Sequence, residues 1–339
     1  GFPMDIVRSW RETPPDLKGA VLAIGNFDGV HRGHQAVLGV AKAIAAAEGR
    51  KAGAVIFEPH PREFFAPGSP FFRLTPLPVK LELLEALGLD VAFVLPFDKA
   101  LADLSADAFA ADVLGEAFGA RHVVVGYDFT YGKGRAGTVA HLAASGETQG
   151  YGVDVVEPVR LGGEMVFASS AIRDHLFKGR VRDAAEQLGY WWRVRGAVAH
   201  GAGRGQGLGF PTVNFALLPG QDVCHGIYAM RVHHAGGRHD AAGYVGPRPT
   251  FGAGEPALEA FLFDFSGELY DQTIEVEFID FIRPDETFAS AEALSAQMDK
   301  DCEAARAVLA GVAADDPMRR FPLGAALATR TQDCGQPGC

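Results

Sequence analysis

Short apolar runs alternate with segments of helical composition through the first half of this 339-residue chain. The apolar runs predict strands at Val21–Ile24, Ala52–Phe57, Val91–Leu95, His122–Val125 and Asp154–Val156. The segments between them predict helices at Gln35–Glu48, Val79–Leu87 and Ala106–Phe118. Strands that alternate with helices build a parallel sheet that is covered on both faces. We therefore predict an α/β domain with a doubly wound parallel sheet.

The second half of the chain has a different sequence pattern. From about Trp191, it consists mainly of strand-like runs separated by glycine-rich turns. These runs are Trp192–Val198, Gly226–His233, His239–Val245, Ala257–Phe263 and Thr273–Phe281. They predict a small antiparallel β-barrel with a closing helix at Ala291–Ala310. Before the barrel, residues 170–188 predict two short helices with a turn at Arg180–Asp183. We divide the chain into residues 4–186, 187–312 and a tail, 313–339, predicted to be disordered.

Polar or glycine-rich segments follow four of the five predicted strands of the first half. They are Gly25–His34, Glu58–Pro61, Phe97–Asp98 and Gly126–Gly137. Ligands of doubly wound sheets bind at the carboxyl ends of the strands. The sequence therefore predicts one ligand site at this edge of the sheet.

The segment Gly25–His34 carries the most chemical information. A glycine-rich turn between a strand and a helix N-terminus presents backbone N–H groups to a phosphate. His31 and His34 lie one helical turn apart, and Gly33 lets a ligand approach the backbone. Imidazoles and backbone donors around a phosphate suit nucleotidyl transfer, in which a protein chiefly positions groups and stabilises charge. A surface histidine pair and a zinc site are the alternatives.

Bulk properties exclude several classes of protein. A net charge of -11 argues against a nucleic-acid binder. The four cysteines lack metal-ligand spacing, so we interpret them as free thiols. No apolar run is long enough to span a bilayer, and no signal-peptide pattern begins the chain. We expect a cytoplasmic protein that does not bind membranes.

A second glycine-rich segment, residues 201–214, leads into the predicted barrel. Its glycines suit a loop that folds over a nucleotide. Thr212 and Asn214 alternate along a strand and therefore face the same side. A hydroxyl and an amide oxygen are suitable ligands for Mg²⁺.

These motifs, in this order, resemble the bacterial bifunctional riboflavin kinase/FAD synthetase family. The segment Gly25–His34 resembles the H-x-G-H signature of nucleotidyltransferases. Phe57–Pro61 resembles F-x-P-H-P, Gly126–Gly132 resembles G-x-D-F-x-F-G, and Ala168–Arg173 resembles S-S-T-x-I-R. Residues 209–214 resemble the G-F-P-T-x-N motif of riboflavin kinases. Residues 244–251 resemble N-x-G-x-x-P-T-F.

The resemblance implies a Rossmann-like nucleotidyltransferase domain followed by a kinase barrel. The barrel would phosphorylate riboflavin to FMN with ATP and Mg²⁺, and the first domain would transfer AMP from a second ATP to FMN, releasing pyrophosphate. Riboflavin, FMN, FAD and ATP or ADP are the implied ligands. No bound redox cofactor is required, no nucleic acid is involved, and a homo-oligomer is possible.

Residue roles follow from the same resemblance, motif by motif. The implied catalytic residues are His31, His34, Asn214 and Glu259. The implied ATP-binding residues of the adenylyltransferase are Gly25, Asn26, Phe27, Asp28, Gly33, Ser169, Ser170 and Arg173. The FMN or nucleotide loop comprises His60, Pro61, Asp128 and Phe129. The kinase nucleotide and flavin residues are Gly203, Gly205, Gly209, Phe210, Pro211, Arg248 and Thr250, and the implied Mg²⁺ ligands are Thr212 and Asn214.

Several of these residues have a second interpretation. His60 suits a loop cap as well as a phosphate ligand, and Asp128 suits a turn. Ser169 and Ser170 suit helix capping. Arg248 suits the rim of a pocket. A lone carboxylate such as Glu259 in an apolar, alternating run usually lies on the exposed face of a strand.

The chain also departs from the family pattern. Ala168 replaces the first serine of its motif, Ser170 replaces a threonine, Tyr244 replaces an asparagine, and Phe261 stands where histidine is frequent. Two rival functions remain: a nucleotidyltransferase with another acceptor, and a flavin-binding regulator without catalysis, which Ala168 and Tyr244 favour.

Overall fold

Six parallel strands form the sheet of the first half. The computed structural model describes residues 3–158, 160–161, 165–200, 211–247 and 256–333. The strands are β1 Asp5–Val7, β2 Val21–Ile24, β3 Ala52–Glu58, β4 Val91–Pro96, β5 His122–Gly126 and β6 Gly152–Val156. Their order in the sheet is β1–β4–β3–β2–β5–β6. All four residues of β2 are apolar and buried, as expected of a central parallel strand covered on both faces. The predicted parallel sheet is confirmed, and β1 is an additional edge strand.

Helices connect these strands. They are α1 Arg32–Glu48, α2 Pro61–Phe65, α3 Leu77–Ala86, α4 Lys99–Ala102, α5 Ala106–Ala108 with its π-helical continuation Phe109–Ala117, and α6 Val139–Gln149. A short hairpin follows, β7 Arg160–Leu161 and β8 Met165–Val166. The strand order reverses between β2 and β5, which are hydrogen-bonded neighbours. Ligands of such sheets bind at this reversal, outside the carboxyl ends of the strands.

Six antiparallel strands form the second sheet. They are β9 Arg193–Ala197, β10 Thr212–Ala216, β11 Gly226–His234, β12 Gly237–Pro247, β13 Pro256–Leu262 and β14 Thr273–Pro284. Their order in the sheet is β10–β13–β12–β11–β14–β9. The N–H of Ala199, just past β9, donates to the carbonyl of Asn214 in β10 at 2.7 Å. This bond brings the two edges of the sheet together, so the predicted barrel is confirmed and nearly closed.

The contact pattern divides the chain into residues 1–169 and 170–339. Helices α7 Ser169–Phe177 and α8 Val181–Leu188 confirm the predicted helix pair. The predicted turn at Arg180–Asp183 is wrong, because α8 already begins at Val181 and the reversal uses Gly179 with a φ of 78°. The division falls before this pair, whereas we placed the domain boundary after residue 186.

The disordered tail predicted at 313–339 is wrong as far as the structure describes it. The closing helix α9 extends over Ala291–Ala314 and is followed by a 3-10 turn, Pro317–Arg320, and α10, Pro322–Asp333. Residues 315–333, hereafter the C-terminal extension, bury Met318 and Leu323. Asp316 accepts a hydrogen bond from the Trp191 indole at 3.0 Å. This packing gives a polar segment enough buried contact to order it.

Candidate functional site

His31 and His34 begin α1 at the carboxyl end of β2. The Nδ1 atom of His31 accepts hydrogen bonds from the N–H groups of Gly33 and His34, at 3.1 and 3.2 Å. The Nδ1 atom of His34 accepts from the N–H of His31 at 3.3 Å. A nitrogen that accepts carries no hydrogen, so each neutral ring carries its proton on Nε2. The pair thus caps the helix with one nitrogen and retains the other as an N–H donor.

The two imidazoles stack, with their ring centroids 3.5 Å apart. Phe27 packs edge-on against His34 at 5.4 Å. A Cβ atom on Gly33 would lie 2.9 Å from Cε1 of His31, closer than side chains tolerate. Gly33 is therefore needed for the position of the ring, in addition to any approach of a ligand to the backbone.

The loop before α1 has a constrained backbone. Phe27 and Val30 adopt left-handed conformations, with φ of 51° and 44°, although neither is glycine. Such conformations persist only where the surroundings determine them. Both side chains are buried, Phe27 at 3% exposure and Val30 at 0%. The core thus fixes the loop that presents the histidines.

Asp28 ties this loop to a distant segment. Its two carboxylate oxygens accept hydrogen bonds from the N–H groups of Leu74 and Thr75, both at 3.1 Å. The hydroxyl of Thr75 in turn accepts from the N–H of Gly29 at 2.8 Å. The carboxylate of Asp28 is thus engaged by the backbone, while its main-chain oxygen accepts a bond from the Ser169 hydroxyl at 2.7 Å.

Lys80 supports the same loop and was missed in the sequence analysis. This lysine of α3 is fully buried, and its ammonium donates to the carbonyl of Asn26 at 2.6 Å. Burial lowers the pKa of Lys80 to about 8. The signal in the sequence is a single lysine between the buried apolar residues Val79 and Leu81.

We expect replacement of Lys80 by methionine to change how stability depends on pH. The folded state loses the Lys80 proton near pH 8 and the unfolded state loses it near 10.5. Stability contributed by Lys80 is therefore complete above pH 10.5 and is lost as pH falls through 8. We compare the free energies of unfolding of the two proteins. The value for wild type minus the value for Lys80→Met should rise by about 3 kcal/mol between pH 8 and pH 10.5. Urea unfolding of both proteins at several pH values measures it; parallel curves would contradict it.

The segment after β3 carries His60 as the cap of α2. Its Nδ1 accepts from the N–H of Arg62 at 3.1 Å, and its own N–H donates to Glu63 at 3.2 Å. The capping interpretation is thus confirmed, and a phosphate contact by His60 stays a prediction. Pro61 is the first residue of α2, where a proline fits. Arg73, also missed, bridges Glu58 and Glu63 at 2.9 and 2.7 Å.

The segment after β5 contributes an exposed carboxylate and a ring. Asp128 is exposed, and Phe129 stacks on Tyr131 with their centroids 5.7 Å apart. Ser170 and Arg173 lie in the first turns of α7, within residues 170–339. The structure thus brings Gly25–His34, His60, Asp128 and Ser169 to the predicted edge of the first sheet.

The barrel places a second set of predicted residues in one row. Asn214 lies directly opposite Glu259 across β10 and β13, and Glu259 lies opposite Tyr244 across β13 and β12. Residues directly opposite one another project from the same face of a sheet. Thr212 shares this face, opposite Phe261. Glu259 is only 2% exposed, so the expectation of an exposed strand face is wrong.

An open cavity of about 770 Å³ lies beside Tyr244, at the end of this row, and is not lined by Asn214 or Glu259. Tyr244 lines it together with Asp285, Phe288 and Leu294. The Tyr244 hydroxyl donates to the Asp285 carboxylate at 2.8 Å. The volume lies in the range of small-molecule sites. Tyr244 therefore forms part of a cavity wall at the position where the family pattern has asparagine.

Some predicted residues lie outside the described part of the chain. They are Gly203, Gly205, Gly209, Phe210, Arg248 and Thr250. Pro211 is described, and its carbonyl accepts from the N–H of Leu262 at 2.9 Å, which fixes the start of β10.

Two family models match the chain in succession. A FAD synthetase model matches residues 13–170, and a riboflavin kinase model matches residues 188–309. The bifunctional riboflavin kinase/FMN adenylyltransferase of Pseudomonas fluorescens is 37% identical over 91% of this chain and 98% of its own. The chain belongs to the bifunctional riboflavin kinase/FMN adenylyltransferase family. The resemblance and enzyme class predicted from the motifs are therefore confirmed.

Other members of the riboflavin kinase/FMN adenylyltransferase family are similarly close. The Haemophilus influenzae protein is 35% identical over 90% of this chain and 99% of its own, and the Escherichia coli K12 protein 35% over 84% and 91%. A crystal structure described as a macrolide-efflux protein from Streptococcus pneumoniae is 28% identical, covers 90% of this chain and 99% of its own, and has a TM-score of 0.79. Within the described residues, no helix has the length and apolarity to cross a membrane.

Proposed function

We propose that the barrel phosphorylates riboflavin to FMN and that the first unit transfers AMP from a second ATP to FMN. The family membership supports both steps. ATP is the common co-substrate, and ADP, FMN, pyrophosphate and FAD are the products. Light scattering after size-exclusion chromatography would show whether the protein is a homo-oligomer.

One observation carries the adenylyl-transfer half: the stacked histidine pair, whose Nδ1 atoms are committed to the backbone. Each Nε2–H is then a fixed donor beside the N-terminus of α1, which favours anions. The FMN phosphate oxygen attacks the α-phosphorus of ATP, and the bond to pyrophosphate breaks. The two N–H groups stabilise the charge that develops on the phosphate oxygens.

An aromatic surface at the same edge of the sheet suits the flavin ring of FMN. Phe65 is 69% exposed and packs against Phe64 and Phe97, with centroids 5.1 and 5.8 Å away. A contiguous apolar patch on a surface often marks a ligand or partner site, whereas a single exposed ring does not. These rings follow β3 and β4, whereas the histidine pair follows β2. We assign the flavin ring to the aromatic surface of Phe64, Phe65 and Phe97, and the ATP phosphates to the histidine pair.

The kinase half rests on Glu259, a buried carboxylate opposite Asn214. Glu259 accepts the proton of the ribityl hydroxyl as that oxygen attacks the γ-phosphorus of ATP, and ADP leaves. The cavity bounded by Tyr244 and Phe288 receives the flavin ring.

The oxygen donors of β10 fit a magnesium ion. The Thr212 hydroxyl and the Asn214 amide oxygen share one face, beside the carboxylate of Glu259. Within the described residues, no group of three His, Cys, Asp or Glu forms a metal cluster. A site of two neutral oxygens leaves coordination positions for phosphate oxygens. When bound, Mg²⁺ neutralises phosphate charge during transfer.

Incubation of the protein with riboflavin, ATP and Mg²⁺, followed by chromatography, tests the proposal. We expect FMN to appear first and FAD to follow. When FMN is supplied in place of riboflavin, FAD should still form. FMN alone would contradict the adenylyl-transfer half, and the absence of both products would favour a flavin-binding regulator.

A further inference from the structure

A small cavity lies where the C-terminal extension packs against the barrel. Its volume is about 30 Å³, more than the roughly 10–15 Å³ that one water needs. Its ionic lining comes from four strands and the extension: Arg193, Arg231, Arg238, Glu277, Asp316 and Arg319. We call this cavity the arginine pocket. It lies outside the residues that the riboflavin kinase argument uses.

The carboxylates of the arginine pocket are already engaged by its inner arginines. Glu277 contacts Arg231 at 2.9 Å and Arg193 at 3.9 Å, and it also contacts His233. Burial alone would raise the pKa of Glu277, but Arg231 and Arg193 outweigh it and hold the pKa well below its usual range. Asp316 lies 3.7 Å from Arg231 and accepts from the Trp191 indole.

Positive charge remains after this pairing. Arg238 and Arg319 line the pocket, are exposed, and form no ion pair with any described residue. Arg231 is only 7% exposed, and its buried Nε–H has no hydrogen-bond partner among the described residues. A buried donor without a partner is costly. Four guanidinium groups thus line the pocket with two carboxylates, in a chain with a net charge of -11. Arg193 is also paired at 3.0 Å with Glu275, which does not line the pocket. The excess positive charge therefore lies on Arg238 and Arg319.

We propose that the arginine pocket binds a small tetrahedral oxyanion of the inorganic phosphate class, which fastens the C-terminal extension to the barrel. Guanidinium groups match the oxygens of phosphate with paired N–H donors. The pocket is far too small for a nucleotide, whose sites span hundreds of Å³. Arg231 and Arg238 belong to the barrel and Arg319 to the extension, so a bound anion contacts both.

Equilibrium dialysis of labelled inorganic phosphate against the full-length protein tests the site. We expect Arg319→Gln and Arg238→Gln each to weaken phosphate binding about tenfold. Arg320→Gln is the matched control, because Arg320 is adjacent on the same turn but pairs with Glu186 and does not line the pocket. Sulfate should compete with phosphate, and chloride at equal ionic strength should not. Equal affinities in all four proteins, as nucleotide sites alone would give, would overturn the proposal.

Hydrogen exchange in α10 tests the fastening. Phosphate should slow exchange of the α10 amides about tenfold in wild type and not in Arg238→Gln. Arg238 lies on β12, so its loss leaves the extension's own residues intact. Unchanged exchange in wild type with phosphate bound would show that the anion does not hold the extension.

Discussion

Glu259→Gln should reduce FMN formation by about 10²- to 10⁴-fold, the range for loss of a general base. Glutamine keeps the shape of the buried side chain and one acceptor oxygen, but its NH₂ group donates and it cannot accept the ribityl proton. His31 and His34 lie in residues 1–169 and Glu259 lies in the other unit. FAD formation from supplied FMN should therefore continue at the wild-type rate. Riboflavin and FMN assays on the same preparation measure both effects.

The control for this substitution is Glu268→Gln, an exposed carboxylate shortly after β13. It makes the same chemical change in the same unit without touching the row of Asn214 and Glu259. We expect wild-type rates of both reactions. If Glu259→Gln phosphorylated riboflavin as fast as Glu268→Gln, the general base would be another group.

His34→Asn should reduce FAD formation by about 10²- to 10³-fold, the cost of one donor to a developing oxyanion. The asparagine amide oxygen reaches the region of Nδ1, so it can still accept from the N–H of His31 and cap α1. It does not reach the position of Nε2. The substitution therefore separates the two roles of the ring, and riboflavin phosphorylation should be unaffected.

Two further variants complete this test. His34→Ala removes both the donor and the bond that the His31 N–H makes to the His34 ring. It should therefore lower both FAD formation and the thermal stability of the first unit. His122→Asn changes a histidine at the amino end of β5, where it pairs with Asp154, and should leave FAD formation unchanged. FAD formation by His34→Asn at the rate of His122→Asn would refute the donor role.

Local patterns were sufficient to predict most of the fold. β2 has the predicted bounds, and the other predicted strands differ at their ends by a few residues. Periodicity reports which residues face a core, and motif spacing reports which loops face a ligand. Both kinds of information lie within short windows of the chain. The predicted clustering of Gly25–His34 with the segments after β3 and β5 follows from sheet topology alone.

What the sequence did not predict depends on contacts between distant segments. The bonds from Asp28 to Leu74 and Thr75 span 46 and 47 residues. Lys80 is an ordinary helical lysine until α3 buries it beneath Asn26. The C-terminal extension lies in the tail predicted to be disordered, yet Gly324 lets α10 approach closely enough that a Cβ there would lie 2.9 Å from the carbonyl oxygen of the distant Gly189. No local window contains these partners.

The left-handed residues of the Gly25–His31 loop have a thermodynamic consequence for ATP. Phe27 and Val30 hold backbone conformations that are each unfavourable by roughly 1–3 kcal/mol. Burial of their side chains in the core offsets this strain when the unit folds, before any ligand binds. Nucleotide binding then has little backbone freedom left to remove. The first unit should therefore bind ATP with a small entropic penalty, with its affinity arising from enthalpy at the phosphates and its loop nearly the same in free and bound states.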